Sequence, residues 1–184
     1  MQIIQLVYIV SLIRIMKDIL RFAALLFVCL LSTNAFGQSP EQKLEALGLK
    51  LPAPSVPVAN YVKWVRTGNL VYTSGHGSSA KGRLGETMNI DEGYEAAKET
   101  GLQLLATLKS AVGDLSKVKR VVKVLGMVNS ASTFTDQPKV MNGFSDLMVA
   151  VFGEAGKHAR SAVGMNTLPN GIALEIEMIV EVEE

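Results

Sequence analysis

This sequence of 184 residues contains one cysteine, Cys29, and has no excess charge of either sign, with 18 Lys and Arg against 17 Asp and Glu. A single cysteine excludes an intrachain disulfide. Binding to a phosphate backbone usually needs a basic surface, which this charge balance does not supply. Aromatic residues make up only 6% of the chain and are not interleaved with basic ones. We therefore expect no nucleic-acid partner.

The longest uninterrupted apolar run covers only residues 22–31, which is too short to span a bilayer comfortably. The run follows a charged segment and precedes Ser-Thr-Asn and the small-x-small sequence Ala35-Phe36-Gly37, a pattern typical of a signal peptide. We predict that translation starts at Met16, that residues 1–37 are removed, and that the protein is exported to the periplasm or secreted. No stable membrane anchor is then expected after cleavage.

This N-terminal segment has two other interpretations. Residues 1–15 are also apolar and could lengthen the span, which leaves an uncleaved membrane anchor open. A lipidated Cys29 fits less well, because Val28 stands where a small residue normally precedes the modified cysteine. Cleavage after Gly37 would remove Cys29 and leave 15 basic and 16 acidic residues, a net charge of −1. The mature chain would then have no thiol nucleophile or cysteine metal site.

The mature chain divides into a lead-in, residues 38–57, and one α+β domain, residues 58–184. The lead-in has a short helix pattern from Ser39 to Leu47, with Ser39 as N-cap, and then a stretch rich in proline. The patterns of the domain are a hairpin over 61–66 and 70–74, a helix over 91–112, a strand over 118–128, a helix over 138–152, and strands over 161–167 and 172–182. The turn Leu168-Pro169-Asn170-Gly171 predicts that the last two strands pair. We expect a single β-sheet with two helices packed on one face.

A glycine-rich segment from Gly75 to Gly85 partly matches the glycine spacing of phosphate-binding loops. No helix pattern begins where a dinucleotide site would need a helix N-terminus. Residues 82–84 read Gly-Arg-Leu, where a phosphate loop requires Gly-Lys-Ser/Thr. We therefore predict a mobile loop beside a pocket.

The C-terminal strand alternates apolar residues with residues that are mostly glutamate, from Leu174 to Glu183. Periodicity alone predicts an amphipathic strand with one solvated face. Arg160, just before the preceding strand, has two interpretations. It is either a surface cation neutralised by one of these glutamates, or a bidentate anchor for the carboxylate of an amino or keto acid. Spacing alone leaves both open.

Short sequences along the chain resemble those of one family. They are Asn60-Tyr61-Val62, Gly68-Asn69-Leu70, Thr73-Ser74-Gly75, Phe134, Val140 and Asn142, Ala159-Arg160-Ser161-Ala162-Val163-Gly164, Leu168-Pro169 and Leu174-Glu175-Ile176-Glu177. In this order and spacing they resemble the signature of the Rid superfamily, also called the YjgF or reactive-intermediate deaminase family. The likeness begins at about Pro57, and the segment from Gly153 to Arg160 is similar to a divergent branch labelled putative endoribonuclease.

The resemblance implies a chorismate-mutase-like fold that assembles as a homotrimer with three clefts between subunits. By this likeness, Arg160 clamps the carboxylate of a small metabolite, and Glu175 positions the water that hydrolyses an imine or enamine. The expected substrate-binding residues are Tyr61, Ser74, Gly75, Asn142 and His76. The implied chemistry uses neither a metal nor an organic cofactor.

Two positions depart from the family pattern. Many members have cysteine where this chain has Ala162, and glutamine where it has His76. The ring of His76 is titratable and could take part in proton transfer, or it is a loop histidine without a role. His158 is expected to be structural or exposed.

On this basis the sequence is compatible with three functions. The leading one is hydrolysis of small 2-imino or enamino acids to 2-keto acids and ammonia. The second is a trimeric protein that binds a small carboxylate without turnover. The third, an endoribonuclease, is least favoured because the mature charge is close to neutral.

Overall fold

The computed structural model describes residues 16–17, 19–21 and 37–184. The predicted signal peptide therefore lies largely outside the described residues, and residues 16–17 and 19–21 are helical. None of the helices in this described part of the chain combines the length and apolar character that crossing a bilayer requires. Residues 39–184 form a unit of their own.

The unit begins with helix α1 (Pro40–Ala46), which confirms the helix predicted over 39–47. Ser39 Oγ accepts a hydrogen bond from the backbone N–H of Gln42 (3.2 Å), and Oε1 of Gln42 accepts one from the N–H of Ser39 (2.9 Å). This reciprocal capping box satisfies two N–H groups that a helix start otherwise leaves free. Leu44, on the inner face of the helix, is buried in the core.

Six strands form one sheet. They are β1 (Trp64–Thr67), β2 (Leu70–Thr73), β3 (His76–Gly77), β4 (Val118–Asn129), β5 (Ala159–Met165) and β6 (Leu174–Val182). Their spatial order is β1-β2-β6-β4-β5, and β3 pairs with the beginning of β6. All pairs are antiparallel except β4 with β5, which are parallel. The result is an open mixed sheet with β5 at one edge.

Helices α2 (Ile90–Val112) and α3 (Gln137–Phe152) cover the same face of this sheet. The even-numbered residues of β6 are buried on that face and the odd-numbered ones are half-buried on the other, as the alternation predicted. The two helices approach closely at Gly143, where a Cβ atom would overlap the backbone carbonyl of Tyr94. The α+β fold with two helices on one face of a single sheet is confirmed.

The predicted pairing of the last two strands is wrong. The turn at 168–171 does form, with Asn170 and Gly171 both at positive φ. However, β6 inserts between β2 and β4, and β5 pairs on the far side of β4. The twelve-residue β4 therefore separates the two strands. A turn signal reports a local reversal of the chain and carries no information on which strand becomes the neighbour.

The glycine-rich segment from Gly75 to Gly85 is attached along its length, where the sequence predicted a mobile loop. The backbone N–H of Ser78 donates to the carbonyl of Leu174 (2.9 Å), and the N–H of Leu84 donates to the carbonyl of Asn129 (2.9 Å). Leu84 is fully buried in the core. The segment therefore forms an additional layer beside β6 and the end of β4.

Candidate functional site

Arg160 lies within the edge strand β5, one residue after its start, and not before the strand as predicted. It is in register with Val124 of β4, a fully buried residue on the helix-covered face. Residues in register across neighbouring strands project to the same side. The side chain of Arg160 therefore extends along the sheet edge towards α3.

Three neutral oxygen atoms of α3 hold the guanidinium. Nη1 of Arg160 donates to Oδ1 of Asn142 (3.1 Å) and to Oγ of Ser145 (2.9 Å). Nη2 donates to the backbone carbonyl of Pro138 (3.3 Å). Among the described residues, no carboxylate lies within ion-pair distance of this guanidinium, so the interpretation as a cation neutralised by a C-terminal glutamate is wrong. The fixed positive charge remains available to an external anion.

Ser145 belongs to a second layer of contacts that includes His158. The ring Nε2 of His158 lies 3.1 Å from Oγ of Ser145, and Nδ1 lies 2.7 Å from the carbonyl oxygen of Gly156. A carbonyl can only accept, so Nδ1 carries the proton and Nε2 accepts from the Ser145 hydroxyl. That hydroxyl in turn accepts from Arg160, which gives one directional chain of hydrogen bonds.

Burial lowers the pKa of His158, the hydrogen bond to Gly156 opposes this change, and the nearby charge of Arg160 lowers the pKa further. The neutral ring that the hydrogen-bond chain requires is therefore favoured. The sequence did not point to Ser145. His158 was expected to be structural or exposed, and its half-buried, hydrogen-bonded ring fits a structural role. The available signal was the pair Asn142 and Ser145, which places two polar side chains at i and i+3 on one side of α3.

Glu175 lies in β6 beside the turn that contains Ser74 and Gly75. It is in register with Gly77 of β3, and a Cβ atom added to Gly75 would overlap Oε1 of Glu175. Only glycine at position 75 leaves room for the carboxylate in this orientation. Ser74 and Gly75, which the family likeness assigned to the substrate, therefore lie directly beside Glu175.

The Ser74 hydroxyl fixes the segment that leads into β1. Its Oγ donates to the carbonyl of Val62 (2.6 Å), and its backbone N–H donates to the carbonyl of Lys63 (2.9 Å). Tyr61 precedes this contact and is exposed, with Nζ of Lys63 5.5 Å from its ring centroid. The predicted strand from 61 begins only at Trp64, so Tyr61 stands on a loop near the Ser74 turn.

His76 points away from Glu175. It is in register with Ile176, on the helix-covered face, and its side chain is buried. Nδ1 bonds to the carbonyl of Ser74 (2.9 Å) and Nε2 to Oγ1 of Thr107 in α2 (2.8 Å). Both ring nitrogens are occupied inside the core, so the expected contact between His76 and a substrate is replaced by a structural role.

Arg160 and Glu175 lie far apart within a single chain. Through β4, Arg160 is in register with Met178, three residues along β6 from Glu175. With strands about 4.8 Å apart and a rise of about 3.4 Å per residue, the two Cα atoms are roughly 14 Å apart. The side chains also leave opposite faces of the sheet, because their positions in β6 differ by an odd number. The predicted site is therefore present as two separate halves.

Comparison with known proteins identifies relatives across this unit. The profile of the family described as YjgF/chorismate mutase-like, putative endoribonuclease matches residues 41–179. Protein TCP17 of Trypanosoma cruzi is 45% identical over 145 residues, which are 75% of this chain and 91% of that protein.

Two solved structures share the fold and a substantial part of the sequence. The crystal structure of Atu1372, a protein of unknown function from Agrobacterium tumefaciens, is 40% identical, with a TM-score of 0.74 over 78% of this chain and 92% of that one. A putative endoribonuclease from Shewanella oneidensis MR-1 is 31% identical, with a TM-score of 0.77 over 79% of this chain and 100% of that one.

Proposed function

The chain belongs to the YjgF/chorismate mutase-like, putative endoribonuclease family, and from this premise we propose that it hydrolyses small 2-imino or enamino acids to 2-keto acids and ammonia. The proposal rests on the hydrogen bonds of Arg160 and on its charge, which is unpaired in the part of the chain that the structure describes. Three neutral acceptors orient its guanidinium, and its charge is not used within the described chain. A guanidinium held in this way is suited to bind the carboxylate of a 2-imino acid.

The half of the site around Glu175 supplies the proton acceptor that the hydrolysis needs. Glu175, as a carboxylate, accepts a proton from water while the water oxygen attacks the C=N carbon. Glu175 passes this proton to the imine nitrogen, which gives the carbinolamine. Glu175 then transfers the hydroxyl proton of the carbinolamine to its amino nitrogen, so that ammonia leaves and a C=O bond replaces the C=N bond. The overall change consumes one water and releases one ammonia, so it needs no redox partner. Tyr61, Ser74 and Gly75 would line this half of the cleft.

We further propose that the two halves meet between copies of the chain, in a homotrimer. The sheet face not covered by helices carries a cluster of apolar side chains. They are Val65, Tyr72, Leu125, Met127, Val163 and Ile179. Val65, Tyr72 and Val163 are 40–54% exposed in the single chain. The same face also carries Lys123, Ser161, Glu175 and Glu177, so it is mixed. An exposed apolar cluster of this kind is typical of a surface that a partner covers, and a cyclic assembly would place Arg160 of one copy beside Glu175 of the next.

A binding protein without turnover is the second candidate. It is favoured by one specific observation: the Arg160 anchor is complete within a single chain, whereas Glu175 is on the opposite face. Such a protein would bind the keto acid through Arg160 and release no ammonia from the imine. Degradation of RNA by nuclease-free protein, lost in Arg160→Ala, would instead favour the ribonuclease function, against which the mature charge argues.

We also propose export, on the signal-peptide pattern of residues 1–37. N-terminal sequencing of the protein isolated from its source should give Gln38 as the first residue. A protein that begins at Met1 or Met16 would contradict export by cleavage at this position.

The proposed reaction is tested by measuring keto-acid release from freshly generated 2-imino acids. Wild-type protein should accelerate release, and Arg160→Ala should lower kcat/KM about 100-fold, because the substrate is neither held nor oriented. Glu175→Gln should lower kcat with a smaller change in KM. Arg120→Ala, an exposed arginine of β4, is the matched control and should stay within about twofold of wild type. An Arg160→Ala variant that retains wild-type kcat/KM would contradict the proposal.

A further inference from the structure

A polar pocket with a volume of about 380 Å³ opens at the ends of the parallel strands β4 and β5. Its polar and aromatic lining is formed by Arg83, Ser130, Ser132, Phe134, Gln137 and Asn166. The volume is in the range of sites for small metabolites. The pocket lies beyond the carboxyl ends of β4 and β5, the parallel pair of the sheet.

The pocket is built from fixed groups. Gln137 donates from Nε2 to the carbonyl of Phe134 (2.7 Å) and to Oγ of Ser130 (3.3 Å). Ser130 is buried, with 4% of its surface exposed. The floor is therefore set by hydrogen bonds between α3 and the end of β4, and a ligand would meet preoriented polar atoms.

The charge of the pocket favours an anion. Among the described residues that line it, Arg83 carries the only charge. Its Nη1 lies 3.4 Å from Oε1 of Glu86 in an exposed ion pair, and its Nε is buried without a hydrogen-bond partner. An exposed pair of this kind contributes little, so a ligand carboxylate can compete with Glu86 for the guanidinium.

The position of the pocket connects it to the Arg160 anchor. Arg160 and Gly164, which borders the pocket, project to the same side of β5, and their Cα atoms are about 13 Å apart along the strand. Gln137 of the pocket also directly precedes Pro138, whose carbonyl accepts from Arg160.

We propose that this pocket is a side-chain subsite that selects substrates with a second anionic group, so that dicarboxylic 2-imino and 2-keto acids are preferred over aliphatic ones. Arg160 then holds the carboxylate next to the reacting carbon, and Arg83 holds the distal one. The assignment of the first carboxylate depends on the proposed function. The preference for a second anionic group depends only on the pocket.

The test is the binding of two stable keto acids, measured by calorimetry: 2-oxoglutarate with two carboxylates, and 4-methyl-2-oxopentanoate with one. Wild-type protein should bind 2-oxoglutarate at least about tenfold more tightly. Arg83→Met should abolish this preference while the affinity for 4-methyl-2-oxopentanoate stays within about twofold. Arg160→Ala should lower the affinity for both keto acids, and the control Arg120→Met should change neither affinity.

A second variant does not depend on Arg83. Asn166→Asp adds a negative charge at an exposed position of the lining. It should lower the affinity for 2-oxoglutarate more than the affinity for 4-methyl-2-oxopentanoate. Equal binding of the two keto acids by wild type, or a preference that persists in both variants, would overturn the subsite. Imine turnover without a dicarboxylate preference would refute the subsite alone. A dicarboxylate preference without turnover of any imine would refute the reaction and support the subsite.

Discussion

At the scale of single residues, the orientation of Arg160 depends on groups that would not touch the proposed substrate. Arg160 is oriented by Ser145, and Ser145 is oriented by the neutral ring of His158. The tautomer of that ring is fixed in turn by the carbonyl of Gly156. Positioning of this kind reduces the conformational freedom of a long side chain before a ligand binds, and so lowers the entropic cost of binding.

Ser145→Ala should therefore weaken substrate binding more than it slows the chemical step. The loss of one hydrogen bond to a charged group predicts a rise in KM of about three- to tenfold, with kcat reduced less than about twofold. Ser145→Thr keeps the hydroxyl and should restore KM. Steady-state kinetics with a 2-imino acid provide the measurement, and an equal loss of kcat in both variants would argue against a positioning role.

The two histidines make the folded state sensitive to acid. Burial lowers the pKa of His76, the hydrogen bond to the Ser74 carbonyl opposes this, and the charge of Lys63 lowers the pKa further. Below a pH of about 6.5 the unfolded chain takes up protons that the folded chain does not, so the free energy of unfolding falls as pH decreases towards the folded pKa. Above that window the stabilisation is fully present.

His76→Gln should flatten this pH dependence. Glutamine does not titrate, so the variant should lose less stability than wild type between pH 7.5 and pH 5.5 when unfolding is followed in urea. The comparison concerns the slope against pH and not the absolute stability, which the substitution also changes. A slope identical to that of wild type would show that His76 does not titrate differently in the folded and unfolded states.

At the scale of elements, the close approach of α2 and α3 depends on Gly143. A Cβ atom at this position would overlap the Tyr94 backbone, which cannot turn away as a flexible side chain would. Gly143→Ala should reduce the free energy of unfolding by about 2–3 kcal/mol through overpacking. Ala150→Ser, an exposed change on the same helix, should stay within about 0.5 kcal/mol. Chemical unfolding measures both, and equal stability of the two variants would contradict the packing argument.

Some of these elements could be predicted from the sequence and others could not. Helices α2 and α3 and the burial alternation of β6 were predictable, because each is encoded in periodicity within one segment. The pairing of β5 with β4 was not, because the turn at 168–171 gives no information about partners that are distant in sequence. The same limit applies to the site, since a sequence names Arg160 and Glu175 without showing that they lie on opposite faces of the sheet. Placing His76 required its contact with Thr107, which is 31 residues away.

At the scale of the whole molecule, two features of the single chain favour the proposed assembly. Its two candidate catalytic residues are roughly 14 Å apart on opposite faces of the sheet, and one face of that sheet exposes apolar side chains. Assembly of copies would resolve both, because it would cover the apolar face and bring an anchor and a carboxylate into each cleft. We therefore propose that the reaction takes place in clefts shared between copies of the chain.

The most direct test mixes two impaired variants. Arg160→Ala and Glu175→Gln alone should each hydrolyse the imine far more slowly than wild type. When they are unfolded together in equal amounts and refolded, about one quarter of the clefts in a cyclic homotrimer should combine an intact Arg160 from one copy with an intact Glu175 from the next. The account predicts that keto-acid release recovers to about one quarter of the wild-type rate in the mixture. Refolded mixtures that form the same oligomer as wild type but show no activity above either variant alone would contradict a shared cleft.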